Sequence, residues 1–118
     1  MSDVTVLHNP KCSTSRAALE TLEASGTEAE VAQYLKEPLD EAALRDLLDK
    51  LEDEPTDLVR RDSFFKDQGL TDADVATVDQ VVAVLVQHPR LMERPVIVRD
   101  GRAIIGRPKG RVAPFVTG

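Results

Sequence analysis

Asp3-Val4-Thr5-Val6-Leu7-His8-Asn9-Pro10-Lys11-Cys12-Ser13-Thr14-Ser15-Arg16 is the stretch from which the fold of this 118-residue chain is read. Asp3 to Leu7 is short, apolar and β-branched, and it stops at Asn9-Pro10, where proline cannot donate to a sheet ladder. The pattern then changes period. From Thr14 to Ser25 the residues are helix formers with Ala18, Leu19 and Leu22 on one face, and Gly26 stands where a helix commonly ends. Strand, turn and helix therefore occupy the first 26 residues, with the chain's one cysteine at the junction.

Moving outward, residues 28–35 (EAEVAQYL) read as a second strand, laid parallel to the first by a right-handed crossover. Asp40 is an N-cap candidate for a helix carrying Leu44, Leu47, Leu48 and Leu51 at i, i+3, i+4, i+7. Residues 52–78 are polar and predict short helical turns and loops, and Asp79 to Gln87 predicts a further helix ending at His88-Pro89. Val96-Ile97-Val98 and Ala103-Ile104-Ile105 flank an Asp100-Gly101 pair, a hairpin signal because that pair accepts positive φ angles. Lys109 to Val116 predicts a short closing helix. The order is β-α-β, helices, then β-β-α. The expected fold class is α/β, a mixed four-stranded sheet flanked by helices with a helical insertion, which is the plan of a thioredoxin-like fold in one domain over residues 1–118.

Composition narrows the function. Fifteen Lys and Arg against 21 Asp and Glu give a net charge of -6, which argues against a general nucleic-acid binder. The longest apolar run, Val81 to Val86, falls far short of the roughly 20 residues a membrane span needs, and the N-terminus lacks the plan of a signal peptide, so a cytoplasmic protein is expected. The charge is uneven: residues 90–118 carry seven basic and two acidic side chains. One cysteine cannot form an internal disulfide, and His8 and His88 are too far apart to suggest a zinc site, so no metal is expected.

Cys12 falls at the start of the first helix, where unpaired N–H groups and the positive end of the dipole favour a thiolate, the nucleophilic form. His8, Lys11 and Arg16 add positive charge within one loop, and Ser13, Thr14 and Ser15 add donors. Among such neighbours an exposed, reactive thiol is expected rather than a buried inert one. Cys12-Ser13-Thr14-Ser15 is a C-x-x-S arrangement, so a partner thiol must come from outside. The cysteine–arginine spacing of phosphatase loops is absent, and no catalytic triad is readable. His88 reads as a helix terminator that complements the dipole.

Five blocks in order resemble the glutaredoxin-coupled arsenate reductases: His8 to Arg16, Tyr34-Leu35-Lys36-Glu37-Pro38, Leu58-Val59-Arg60-Arg61, His88 to Val98, and Gly106-Arg107-Pro108. The match runs over nearly the whole chain, which is similar to the shorter branch of that family. The resemblance implies that Cys12 attacks arsenate, that His8 and Ser15 support its thiolate, and that Arg60, Arg94 and Arg107 converge on the oxyanion, for which guanidinium groups offer two-pronged hydrogen bonding. It implies a cis proline after Arg94, no bound cofactor, glutathione or an equivalent small thiol as co-substrate, and a glutaredoxin-type protein as partner. Two rivals stand beside it. One is a reductase-like protein acting on another oxyanion or thiol adduct. The other is a polymerase-binding regulator of the same fold, whose relatives usually carry a second cysteine where this chain has Ser15.

Overall fold

The computed structural model describes residues 4–117; Asp3, the first residue of the predicted opening strand, lies outside the described residues. Strand β1 runs Val4–Leu7 and helix α1 Ser13–Ala24, one residue earlier at each end than the sequence pattern suggests. Strand β2 is Ala29–Ala32, helix α2 Glu41–Lys50, helix α3 Ser63–Asp67 and helix α4 Val78–Gln87. Strands β3 (Val96–Arg99) and β4 (Arg102–Ile105) form the hairpin, and helix α5 (Val112–Thr117) follows. The sheet order is β2-β1-β3-β4, with β1 parallel to β2 and antiparallel to β3, and β3 antiparallel to β4.

Alternation along the strands sends side chains to two faces. Val4 and Val6, with Ile97 and Ile104, pack on Ala18 and Leu22 of α1 and Phe115 of α5. Leu7, Val96, Ala103 and Ile105 point the other way, onto α2 and α4 through residues such as Leu44 and Val81. Each fully buried aliphatic side chain contributes about 1.5–3 kcal/mol, so the register that sends these residues inward is firmly fixed.

Local signals explain most boundaries. Asp40 caps α2 by accepting from the Ala43 N–H at 2.8 Å. Thr77 and Gln80 form a reciprocal cap that starts α4 at Val78. Asp100 and Gly101 take φ of 52° and 77°, as the two-residue hairpin turn demands. The expected second strand over 28–35 is shorter: its last rung is His8 N–H to Ala32 O at 2.8 Å, after which Gln33 O accepts from the N–H groups of Lys36 and Glu37. That turn releases Tyr34 from the ladder and buries it at 2% exposure. The closing helix begins as a 3₁₀ turn, Lys109–Arg111, before α5.

The insertion between α2 and α4 holds α3 and the 3₁₀ turns Pro55–Leu58 and Asp72–Val75, as its polar composition suggests. It is tied to the segment before β3 by Arg60 N–H to Leu91 O at 2.8 Å and Glu93 N–H to Leu58 O at 2.7 Å. Arg60 is thereby brought beside Glu93. Among the described residues no helix is long and apolar enough to cross a membrane.

Candidate active site

The β1–α1 loop is shaped by its own side chains. Asn9 Oδ1 accepts from the Lys11 N–H at 3.0 Å, and Asn9 O accepts from the Cys12 N–H at 3.0 Å, which turns the chain sharply into α1. Cys12 takes the N-cap position with extended backbone (φ -99°, ψ 123°), so the free N–H groups of the first helical turn face its sulfur. Ser15, fully buried, accepts from the Asn9 N–H at 3.4 Å and ties the loop to the helix.

Two arginines arrive from the other end of the chain. Arg94 and Arg107 each precede a cis proline, Pro95 and Pro108, the first as the resemblance implies and the second unforeseen. The two loops lie against each other: Arg107 Nε donates to Arg94 O at 2.7 Å, and Gly106 N–H donates to Pro95 O at 2.7 Å. Any side chain at Gly106 would bring a Cβ to 2.8 Å from Pro95 Cγ, so this approach requires glycine. Arg107 Nη2 donates to Cys12 Sγ at 3.2 Å across 95 residues of sequence.

Burial pushes the Cys12 thiol up, but it is outweighed by the Ser15 N–H, the Arg94 guanidinium, the Ser15 hydroxyl and the Thr14 N–H, and the pKa settles at about 7. Cys12 is only 9% exposed, contrary to the exposed thiol expected from its polar neighbours. The reason is tertiary: a guanidinium from residue 107 lies on the sulfur, and nothing in the local sequence announces it.

His8 is placed differently from a cationic helper. Burial and the Arg16 charge hold its pKa below the ordinary histidine value, so the ring is neutral near neutral pH, and its Nδ1 has no partner among the described residues. Arg60 joins the cluster indirectly. Glu93 Oε1 lies 3.7 Å from Arg60 Nε and 3.3 Å from Arg107 Nε, a carboxylate joining two guanidiniums. Glu93 was not among the residues singled out from sequence; its only signal was adjacency to Arg94. His88 caps the end of α4 and meets Phe64 edge-on at 5.5 Å, a packing role.

An open cleft of about 340 Å³ is lined by Asn9 and Lys11 of the β1–α1 loop together with Leu35, Asp62, Arg90 and Arg94. Arg94 Nε is buried and has no hydrogen-bond partner among the described residues. An activated thiolate beside guanidinium donors that lack acceptors can bind an oxyanion and attack its central atom. Among the described residues no group of three His, Cys, Asp or Glu side chains is placed to hold a metal ion.

A family model described as the ArsC family matches residues 7–115, which includes every site residue above. The chain is similar to the uncharacterized protein YfgD of Escherichia coli (strain K12), 40% identical over 115 residues and 96% of each chain. It is 38% identical over 110 residues to an arsenate reductase of Neisseria meningitidis serogroup A, covering 92% of this chain and 93% of that one. The solved structure of an arsenate reductase from Vibrio cholerae matches with a TM-score of 0.84 at 34% identity, covering 94% of this chain and 95% of the other.

Proposed function

The chain belongs to the ArsC family, and from that membership we propose that it reduces arsenate to arsenite, with Cys12 as the nucleophile and an external thiol as reductant. The observation that carries this reading is the pairing of a thiol with a pKa of about 7 and the Arg107 guanidinium 3.2 Å from its sulfur. Near neutral pH a large fraction of Cys12 is thiolate, and the Arg94 guanidinium that helps the Ser15 and Thr14 N–H groups stabilise it also attracts its substrate.

In the proposed sequence, arsenate binds through Arg94 and Arg107, with Arg60 adding charge behind Glu93 and the α1 N-terminus donating from below. The Cys12 thiolate attacks arsenic: an S–As bond forms, an As–O bond breaks, and the departing oxygen takes up protons to leave as water. A small external thiolate, glutathione or its equivalent, then attacks Sγ. An S–S bond forms and the S–As bond breaks with its electron pair passing to arsenic, which leaves as arsenite. Cys12 remains as a mixed disulfide. A thiol of a glutaredoxin-type protein exchanges with it and restores the thiolate. In sum, two thiols become one disulfide while arsenate becomes arsenite and water. With one cysteine in the whole sequence, both thiols must be supplied from outside. The reaction consumes thiol reductant and so suits the reducing cytoplasm.

Guanidinium donors recognise tetrahedral oxyanions in general, so phosphate and sulfate are expected to occupy the site without reacting. The test is arsenate-dependent consumption of glutathione in the presence of glutaredoxin. Wild type turns over and Cys12→Ser does not; unchanged turnover in Cys12→Ser overturns the proposal.

A further inference from the structure

Tyr34 carries a buried polar group that no acceptor in the fold satisfies among the described residues. It is the chain's one tyrosine, its exposure is 2%, and its hydroxyl has no hydrogen-bond partner among the described residues. A buried hydroxyl in that state costs about 1–3 kcal/mol, so its retention calls for an acceptor that arrives from elsewhere.

The neighbours say what kind of acceptor. The hydroxyl lies beside the Arg94 guanidinium and the Asn9 amide and within the field of Cys12. Guanidinium has donors and no acceptor. Asn9 turns its carbonyl oxygen to the Lys11 N–H, leaving its NH₂ for the tyrosine side. Both neighbours can donate to the phenolic oxygen, but neither takes its proton. A small void against Tyr34 is otherwise lined by Leu39, Leu44, Leu85, Pro89 and Met92, which offer a bridging water no polar side chain. Burial pushes the phenol pKa up, and the nearby Arg94 charge only partly opposes it, so the group stays a donor at neutral pH. Arg94 Nε, next to it, is a second buried donor with no partner.

We infer that the Tyr34 hydroxyl and Arg94 Nε form a paired donor site for one oxygen of the tetrahedral oxyanion held over Cys12, making Tyr34 an oxyanion-binding residue. This inference rests on the oxyanion-binding part of the function proposed above. Tyr34 adds a neutral donor where further positive charge would repel Arg94. It also fixes one oxygen against a wall that packing holds still, which orients the anion for attack by Sγ.

Two measurements test it, and neither needs turnover. The first is protection of Cys12 from iodoacetamide by arsenate or sulfate, read as the ratio of alkylation rates with and without anion so that any change in thiol reactivity cancels. Tyr34→Phe keeps the ring and its packing, and it is expected to weaken protection about tenfold or more, as loss of a hydrogen bond to a charged group does, with Tm unchanged. The second uses the wild-type chain. With one tyrosine and no tryptophan, the ring-carbon NMR signal of a ¹³C-tyrosine sample belongs to Tyr34 alone, and it is expected to shift on sulfate addition with the midpoint seen in the protection assay. Equal protection in wild type and Tyr34→Phe, or a tyrosine signal that ignores bound anion, overturns the inference and leaves the arsenate reading standing. No protection of wild-type Cys12 by either anion removes both.

Discussion

The basic C-terminal segment holds two pairs of arginines that meet opposite fates. At the β4 edge, Arg102 makes a two-pronged bond to Glu52 at 3.0 Å on each arm, and Arg111 Nη1 lies 2.9 Å from Asp53 Oδ1. A few residues away in sequence, Arg94 keeps a buried Nε without a partner, and Arg107 divides itself among Glu93, the Arg94 carbonyl and the Cys12 sulfur. The first pair spends its charge inside the fold. The second leaves one buried donor, Arg94 Nε, without an acceptor among the described residues. The same residue type in the same basic segment is structural or functional according to whether the fold also supplies acceptors, and charge counting along the sequence cannot separate the two.

The contrast can be broken most forcefully at Arg94. Arg94→Ala is expected to lower kcat/KM for arsenate by about 100-fold or more, the size of effect seen when a preorganised donor is removed, while Tm changes little. A loss of fold without selective loss of activity would place Arg94 with the structural pair. Next in size is the pH dependence of the thiol. Wild-type Cys12 alkylation should titrate with a midpoint of about 7, and Ser15→Ala should move it upward toward the ordinary thiol range, since a hydrogen bond to the thiolate is lost. The sign of the linked stability follows. The folded pKa is depressed, so the thiolate's contribution is present above the ordinary thiol range and is lost as pH falls through about 7; denaturant midpoints should track this in wild type and not in Cys12→Ser.

The structural pair gives the smaller effects. Arg111→Ala leaves the half-buried Asp53 without its cation and should cost about 1–2 kcal/mol in urea unfolding, with oxyanion protection of Cys12 intact. Arg102→Ala should be smallest: its partner carboxylate is solvated, so neither Tm nor anion binding is expected to change measurably. A large activity loss in either variant would erase the distinction between the pairs.

What could be read beforehand follows the same division. The strand–turn–helix at Cys12, the Asp40 cap of α2 and the Asp100-Gly101 hairpin rest on neighbours in sequence, and local signals were sufficient for them. Strand β2 is shorter than residues 28–35 because a turn at Gln33, whose carbonyl accepts from the Lys36 and Glu37 N–H groups, ends the ladder at Ala32. The three arginines came from resemblance alone; no local pattern brings Arg107 to the sulfur. Burial of Cys12, the Glu93 link and the position of Tyr34 all depend on contacts between distant segments, so nothing in their own surroundings marked them. His8 was near enough in sequence to suggest a charged helper, but burial beside Arg16 favours its neutral form.

Gly106 has a consequence for how the site answers mutation. Because its bare Cα lets the Pro95 and Pro108 loops touch, and the Arg107 Nε–Arg94 O bond closes that contact, the two guanidiniums share a single mechanical mounting. Their contributions are therefore energetically coupled rather than independent. Losing the Arg107 side chain frees the residue 94 carbonyl and loosens the loop that carries the Arg94 guanidinium, so that a double-mutant cycle between them closes with a substantial interaction energy and the double variant costs less than the sum of its parts.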